Sequence, residues 1–151
     1  MFEIALIHPD IPQNTGNVGR LCVGLNVPLH LVKPMGFVLD DKKMKRAGLD
    51  YWPHLKLHVH EGDAEFHSYV QDKRVFLLST KASRLYTNVT YQKGDVLIFG
   101  SESRGLPQEY HQKYQTQLVT LPMPGEVRSL NLSNAVAVAA YEAYRQMTKC
   151  V

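Results

Sequence analysis

Cysteine is almost missing from this chain: Cys22 and Cys150 are the only two among 151 residues. Two thiols cannot build a disulfide scaffold or fill a four-ligand zinc site, so a hydrophobic core must hold the fold, in an expected reducing, cytoplasmic setting. No apolar run approaches the ~20 residues of a membrane helix. The opening stretch Phe2–Ile7 is too short for a signal-peptide core, lacks a basic flank and stops at His8-Pro9. An excess of one charge is also lacking, since 17 Lys and Arg against 14 Asp and Glu leave a net +3. That balance tolerates a nucleic-acid partner without demanding one. Repeats and low-complexity tracts are absent. With 44% hydrophobic and 21% charged residues, disorder, collagen and coiled coil are excluded. The length suits one domain, residues 1–151.

What is present alternates. Apolar runs at Phe2–Ile7, Leu29–Val32, Val75–Leu78, Val96–Phe99 and Gln117–Leu121 read as strands. Leu55, Leu57 and Val59 alternate with Lys56, His58 and His60, predicting a strand with one wet face. Helical patterns fall between them: about Asn17–Leu25 after a turn-rich Pro9–Gly16, near Asp63–Gln71, from Pro107 to about Tyr114, and from Asn131 through Met147. Asp40-Asp41 caps a further short helix that Gly48 closes. Continuous apolar strands alternating with helices predict an α/β fold, a mostly parallel sheet with helices on both faces.

Familiar catalytic signatures do not occur: no G-x-G-x-x-G, no P-loop, no H-E-x-x-H, no C-x-x-C and no G-x-S-x-G. His58 and His60 have no third ligand nearby, so a solvated edge is a better reading than a metal site. Three polar, glycine-bearing segments stand out because each follows a strand. They are Asn14–Arg20, Phe99–Pro107 and Pro122–Asn134. Ligands of parallel α/β sheets bind outside the carboxyl ends of strands, where glycine lets backbone approach closely.

In order and spacing these segments resemble the three motifs of the SPOUT class of RNA 2′-O-ribose methyltransferases. The resemblance is to its minimal branch, the TrmL (YibK-type) family, which methylates the wobble nucleotide of tRNA. It runs through Pro12 to Arg20, Lys33-Pro34-Met35-Gly36-Phe37, Arg46-Ala47-Gly48-Leu49-Asp50-Tyr51, Phe99 to Leu106, and Ser129 to Gln146. The resemblance implies a carboxyl-terminal trefoil knot, where pattern reasoning alone gives an unknotted sheet. It implies S-adenosyl-L-methionine as cofactor, with Leu78, Gly100, Leu121, Met123, Ser129 and Leu130 around it and no metal. Arg20 matches the family's essential arginine, and Asn14, Glu102 and Asn131 match its other polar catalytic positions. A guanidinium is always protonated, so Arg20 is expected to orient phosphate and hydroxyl rather than act as base. Glu102 is expected to anchor Arg20 or a neighbouring loop; Asn14 and Asn131 equally suit turn formation.

Lys42, Lys43, Lys45 and Arg46 cluster on the short helix; Lys42, Lys43, Arg46, Arg104 and Arg128 are candidate contacts to the tRNA anticodon stem-loop. The last helix is small or apolar nearly all round, through Ala135, Val136, Ala137, Val138, Ala139, Ala140, Tyr141, Ala143 and Tyr144. That composition predicts burial on more than one side, hence a homodimer. A competing reading from another class is a non-catalytic RNA-binding module that keeps the fold.

Overall fold

The computed structural model describes residues 1–40, 42 and 50–149. Chain order is β1 (Glu3–Ile7), α1 (Pro12–Leu25), β2 (Leu29–Val32), β3 (Leu57–His60), α2 (Asp63–Val70), β4 (Val75–Leu78), β5 (Val96–Phe99), α3 (Gln108–Lys113), β6 (Leu118–Val119) and α4 (Leu132–Thr148). The strands form one six-stranded sheet in the order β3-β2-β1-β5-β4-β6. Every pairing is parallel.

Strand alternation sends side chains to two covered faces. Ile4, Leu6, Leu29, Leu31, Leu97 and Phe99 pack with Val18 and Cys22 of α1 and with Val136, Ala139, Ala140 and Ala143 of α4. Ala5, Ile7, Val32, Leu77 and Ile98 pack on the other side with Phe66 and Val70 of α2 and with Tyr110 of α3. Each fully buried Leu or Ile contributes about 1.5–3 kcal/mol relative to exposure. The double cover explains why the strands read as continuous apolar runs. Cys22 lies wholly inside, and burial pushes its thiol up to about 12, so it is a packing residue and not a nucleophile.

Four local expectations change. Helix α1 begins at Pro12, five residues ahead of the expected Asn17, with Pro in its first turn. Pro107 serves as the N-cap of α3 instead of its first residue. Strand β6 shrinks to two residues, and the chain around it is held by a parallel bridge from Leu85 to Thr120. At the end of β3 the expected alternation fails: His60 is buried and Val59 exposed, whereas Leu57 packs against the core and His58 stays wet as expected. The reason lies in position. β3 is an edge strand, and His60 at its end meets Phe66 of α2 edge-on. His60 Nε2 lies 2.9 Å from Nδ1 of the fully buried His30. His30 Nε2 in turn donates to Glu3 at 2.8 Å. Tyr69 at 2.8 Å and Lys73 at 3.0 Å also donate to that carboxylate.

The expected basic helix falls almost entirely outside the described residues: Asp41, Lys43, Lys45, Arg46 and Gly48 are not among them. Asp40 does accept a hydrogen bond from the Lys42 N–H at 2.9 Å, as an N-cap would. Helix α4 buries one stripe, Leu132, Val136, Ala139, Ala140 and Ala143. Its opposite side leaves Val138 41% and Tyr141 55% exposed. Among the described residues no helix is long and apolar enough to cross a membrane.

Candidate active site

Beyond the carboxyl ends of β4, β5 and β6, three loops converge on a cleft of about 440 Å³. That is a size suited to a small-molecule cofactor. The middle loop turns sharply at Gly100. A Cβ there would lie 2.1 Å from the Gly105 carbonyl carbon, so only glycine fits where the loop folds back on itself. Ser101 and Gly105 close this turn with reciprocal backbone bonds of 3.2 and 3.0 Å.

Glu102 projects from that loop towards the start of α1. Its carboxylate accepts from the Asp10 N–H at 3.0 Å, the Ile11 N–H at 2.7 Å and Asn14 Nδ2 at 3.1 Å. A carboxylate at a helix N-terminus satisfies orphan donors and complements the helix dipole. Asp10 answers in the other direction by accepting from Ser103 Oγ and from the Ser103 N–H. The Ser103 hydroxyl outweighs burial and holds the Asp10 carboxyl below its usual range. Asn131 completes the set. Its Oδ1 caps α4 by accepting from the Ser133 N–H at 3.0 Å, and its Nδ2 donates to Asn14 Oδ1 at 3.1 Å.

Asn14, Glu102 and Asn131 therefore form one connected chain at the cleft. Glu102 anchors the neighbouring loop, as one of the two expectations had it, and not Arg20. Leu78, Gly100, Leu121, Met123, Ser129 and Leu130 all line the cleft, as do Arg104 and Arg128. Leu78 also packs against the core. Arg20 stands apart from this cleft. It is exposed on α1, its guanidinium 5.9 Å from the centre of the Tyr51 ring. Tyr51 is fixed in turn by donating to the Gly16 carbonyl at 2.6 Å. Lys42 is exposed; Lys43 and Arg46 lie outside the described residues.

Among the cleft residues that sequence reasoning passed over are Ser79, Thr80, Lys81 and His111. Ser79 and His111 meet at 2.8 Å although 32 residues separate them, and neither belongs to a recognisable motif. Among the described residues no group of three or more His, Cys, Asp or Glu is arranged to hold a metal ion.

Residues 1–141 match the model of the SpoU rRNA Methylase family. The chain belongs to this family. One relative, the tRNA (cytidine(34)-2′-O)-methyltransferase of Methylovorus glucosotrophus, is 48% identical over 147 residues, covering 97% of this chain and 96% of that one. A solved structure described by "the 2-OH methylation of C/U34 on tRNA" is 49% identical and superposes with a TM-score of 0.92, covering 99% of this chain and 97% of the other. The SpoU methyltransferase AviRb from Streptomyces viridochromogenes, in complex with AdoMet, shares the fold with a TM-score of 0.80 at 21% identity, over 97% of this chain and 57% of that one.

Proposed function

We propose that this chain is a tRNA (cytidine/uridine-34)-2′-O-methyltransferase that uses S-adenosyl-L-methionine. The observation that carries the reading is the Asn14–Glu102–Asn131 chain at the mouth of a cleft with apolar walls, in a SpoU family member whose near relatives bear that activity in their names. The donor set suits the cofactor. Leu78, Leu121, Met123 and Leu130 offer apolar surface for an adenine, while the Gly100 backbone and Ser129 offer polar contacts at the same wall. When bound, S-adenosyl-L-methionine supplies an electrophilic methyl group on a good leaving group, so the reaction needs no metal. The protein's task is to align a poor nucleophile, the ribose hydroxyl. Alignment of this kind draws on the roughly 7–11 kcal/mol available from proximity.

Arg20 is assigned to that task as a charged fork on the phosphate beside the target nucleotide. Its place on the exposed side of α1 fits a homodimer through the Val138–Tyr141 stripe of α4, in which both subunits shape each site. Arg104, Arg128 and Lys42, with Lys43 and Arg46, are assigned to phosphates of the anticodon stem-loop. The reading includes a single domain, a trefoil knot in the segment that closes the cleft, and a cytoplasmic setting where tRNA is met.

The deciding experiment is methyl transfer from labelled S-adenosyl-L-methionine to unmodified tRNA, with the product mapped by mass spectrometry. Label on the 2′-oxygen of nucleotide 34 is the expected result. Cofactor and tRNA binding without any transfer would return the chain to a silent RNA-binding module.

A further inference from the structure

Each loop of the cleft carries a side-chain tie, and two of these ties use motif residues. Glu102 ties the loop after β5 to α1, and Asn131 ties the segment after β6 to Asn14. The tie on the loop after β4 is different: Ser79 to His111, outside every motif. Ser79 extends β4, its N–H donating to the Val119 carbonyl at 2.9 Å. Strand alternation then sends its side chain to the same face as Leu77, where α3 lies. There Ser79 Oγ lies 2.8 Å from His111 Nε2 and accepts from the Lys81 N–H at 3.1 Å.

The proton placement follows from the partners. His111 Nδ1 faces the Pro107 carbonyl at 3.4 Å, and a carbonyl can only accept. The neutral ring therefore carries its proton on Nδ1, Nε2 accepts, and the Ser79 hydroxyl donates. One imidazole thus bridges the start of α3 to the 79–81 turn, and Ser79, Lys81 and His111 all line the cleft.

On the reading of this cleft as the cofactor site, we propose that His111 is a positioning residue for the cofactor. Through Ser79 it holds the 79–81 turn as a fixed wall, so the ligand need not order that turn as it binds. A hydrogen bond of this kind between neutral groups changes an equilibrium constant by about five- to tenfold.

The test is calorimetric titration of S-adenosyl-L-homocysteine into full-length wild type, His111→Leu, His111→Gln, Ser79→Ala and the Ser79→Ala/His111→Leu double variant. Failure of the wild type to bind would overturn the cofactor reading itself, whatever His111 does. With wild-type binding in hand, His111→Leu and Ser79→Ala should each weaken affinity about five- to tenfold, and the double variant should be no worse than either. His111→Gln carries an amide that reaches the Nε2 position and should stay within about twofold of wild type. Affinity for tRNA without cofactor should be the same in all of them. A His111→Leu protein that binds as wild type does, or a Gln variant as weak as the Leu variant, overturns the proposal. Should His111→Leu not fold, wild-type affinity in Ser79→Ala, or a His111→Gln protein as weak as Ser79→Ala, overturns it equally.

Discussion

Glu102 concentrates more of the site than any other side chain around the cleft. One carboxylate accepts three hydrogen bonds, from the Asp10 and Ile11 N–H groups just ahead of α1 and from Asn14 in its first turn. Replacing one oxygen by an amide nitrogen turns a donor towards donors. Glu102→Gln should therefore lose about 0.5–1.5 kcal/mol of stability in urea unfolding, the net worth of a partly exposed hydrogen bond, and methylation should fall with it. Arg20 predicts the opposite pattern because its side chain is exposed and rests against the Tyr51 ring. Arg20→Ala should keep fold and cofactor affinity, while methylation falls about 100-fold or more, at least ~2.7 kcal/mol of transition-state stabilisation. Arg20→Lys should be nearly as poor at every pH, since an ammonium cannot make the bidentate contact. Near-wild-type turnover by the Ala variant would remove Arg20 from the mechanism. At this scale the motif residues were legible, and Asn131 was doubly so, as an Asn before a helix with Ser two positions on. His111 and Ser79 were not, because their meeting depends on the packing of α3 over β4 and on nothing local.

Among the elements, α4 combines two demands on one sequence. Its alanines let it lie close against α1 and the sheet, while Val138 and Tyr141 leave an apolar stripe outward. Tyr141→Asp should shift sedimentation at micromolar concentration from twice the monomer mass towards the monomer, because a carboxylate in an apolar interface is costly. A fully dimeric Tyr141→Asp protein would move the interface elsewhere. The strands were readable because cover on both faces demands continuous apolar runs. The start of α1 was not: the acceptor for its N-terminal donors arrives from Glu102, about ninety residues away. The burial of His60 beside an exposed Val59 has a similar cause, since a strand's pattern does not show that its last residue meets His30 and Phe66.

For the molecule as a whole, acid should find Glu3. Burial by itself would raise its carboxyl, but hydrogen bonds from His30, Tyr69 and Lys73 outweigh burial and bring it down to about 2. A carboxyl depressed on folding stabilises above its unfolded value near 4.5, and that stability drains away as pH falls from there towards 2. Urea unfolding of the wild type should lose about 3 kcal/mol over that interval from this group, and Glu3→Gln should lack that part of the slope. An equal slope in both proteins would show that the network contributes nothing to acid sensitivity. Ligand linkage supplies a complementary check. S-adenosyl-L-homocysteine at one hundred times its dissociation constant should stabilise the folded protein by about 2.7 kcal/mol, seen as a raised Tm.

The order of the sheet also bears on how this protein is made. β1 is the first strand of this sheet to leave the ribosome, yet it lies in the middle, between β2 and β5. Its pairing with β5 joins Glu3 to Val96 and Leu6 to Phe99. At roughly 5–20 residues per second, the apolar edge Ile4-Ala5-Leu6-Ile7 waits on the order of ten seconds for that partner. Asn14 waits longer still, for an asparagine 117 residues downstream. A nascent chain stalled short of that point carries an open strand edge and no complete cleft, which makes it a substrate for chaperones and proteases before it is ever an enzyme. Slow codons placed between β2 and β5 should therefore lower the yield of folded protein more than the same codons placed after α4.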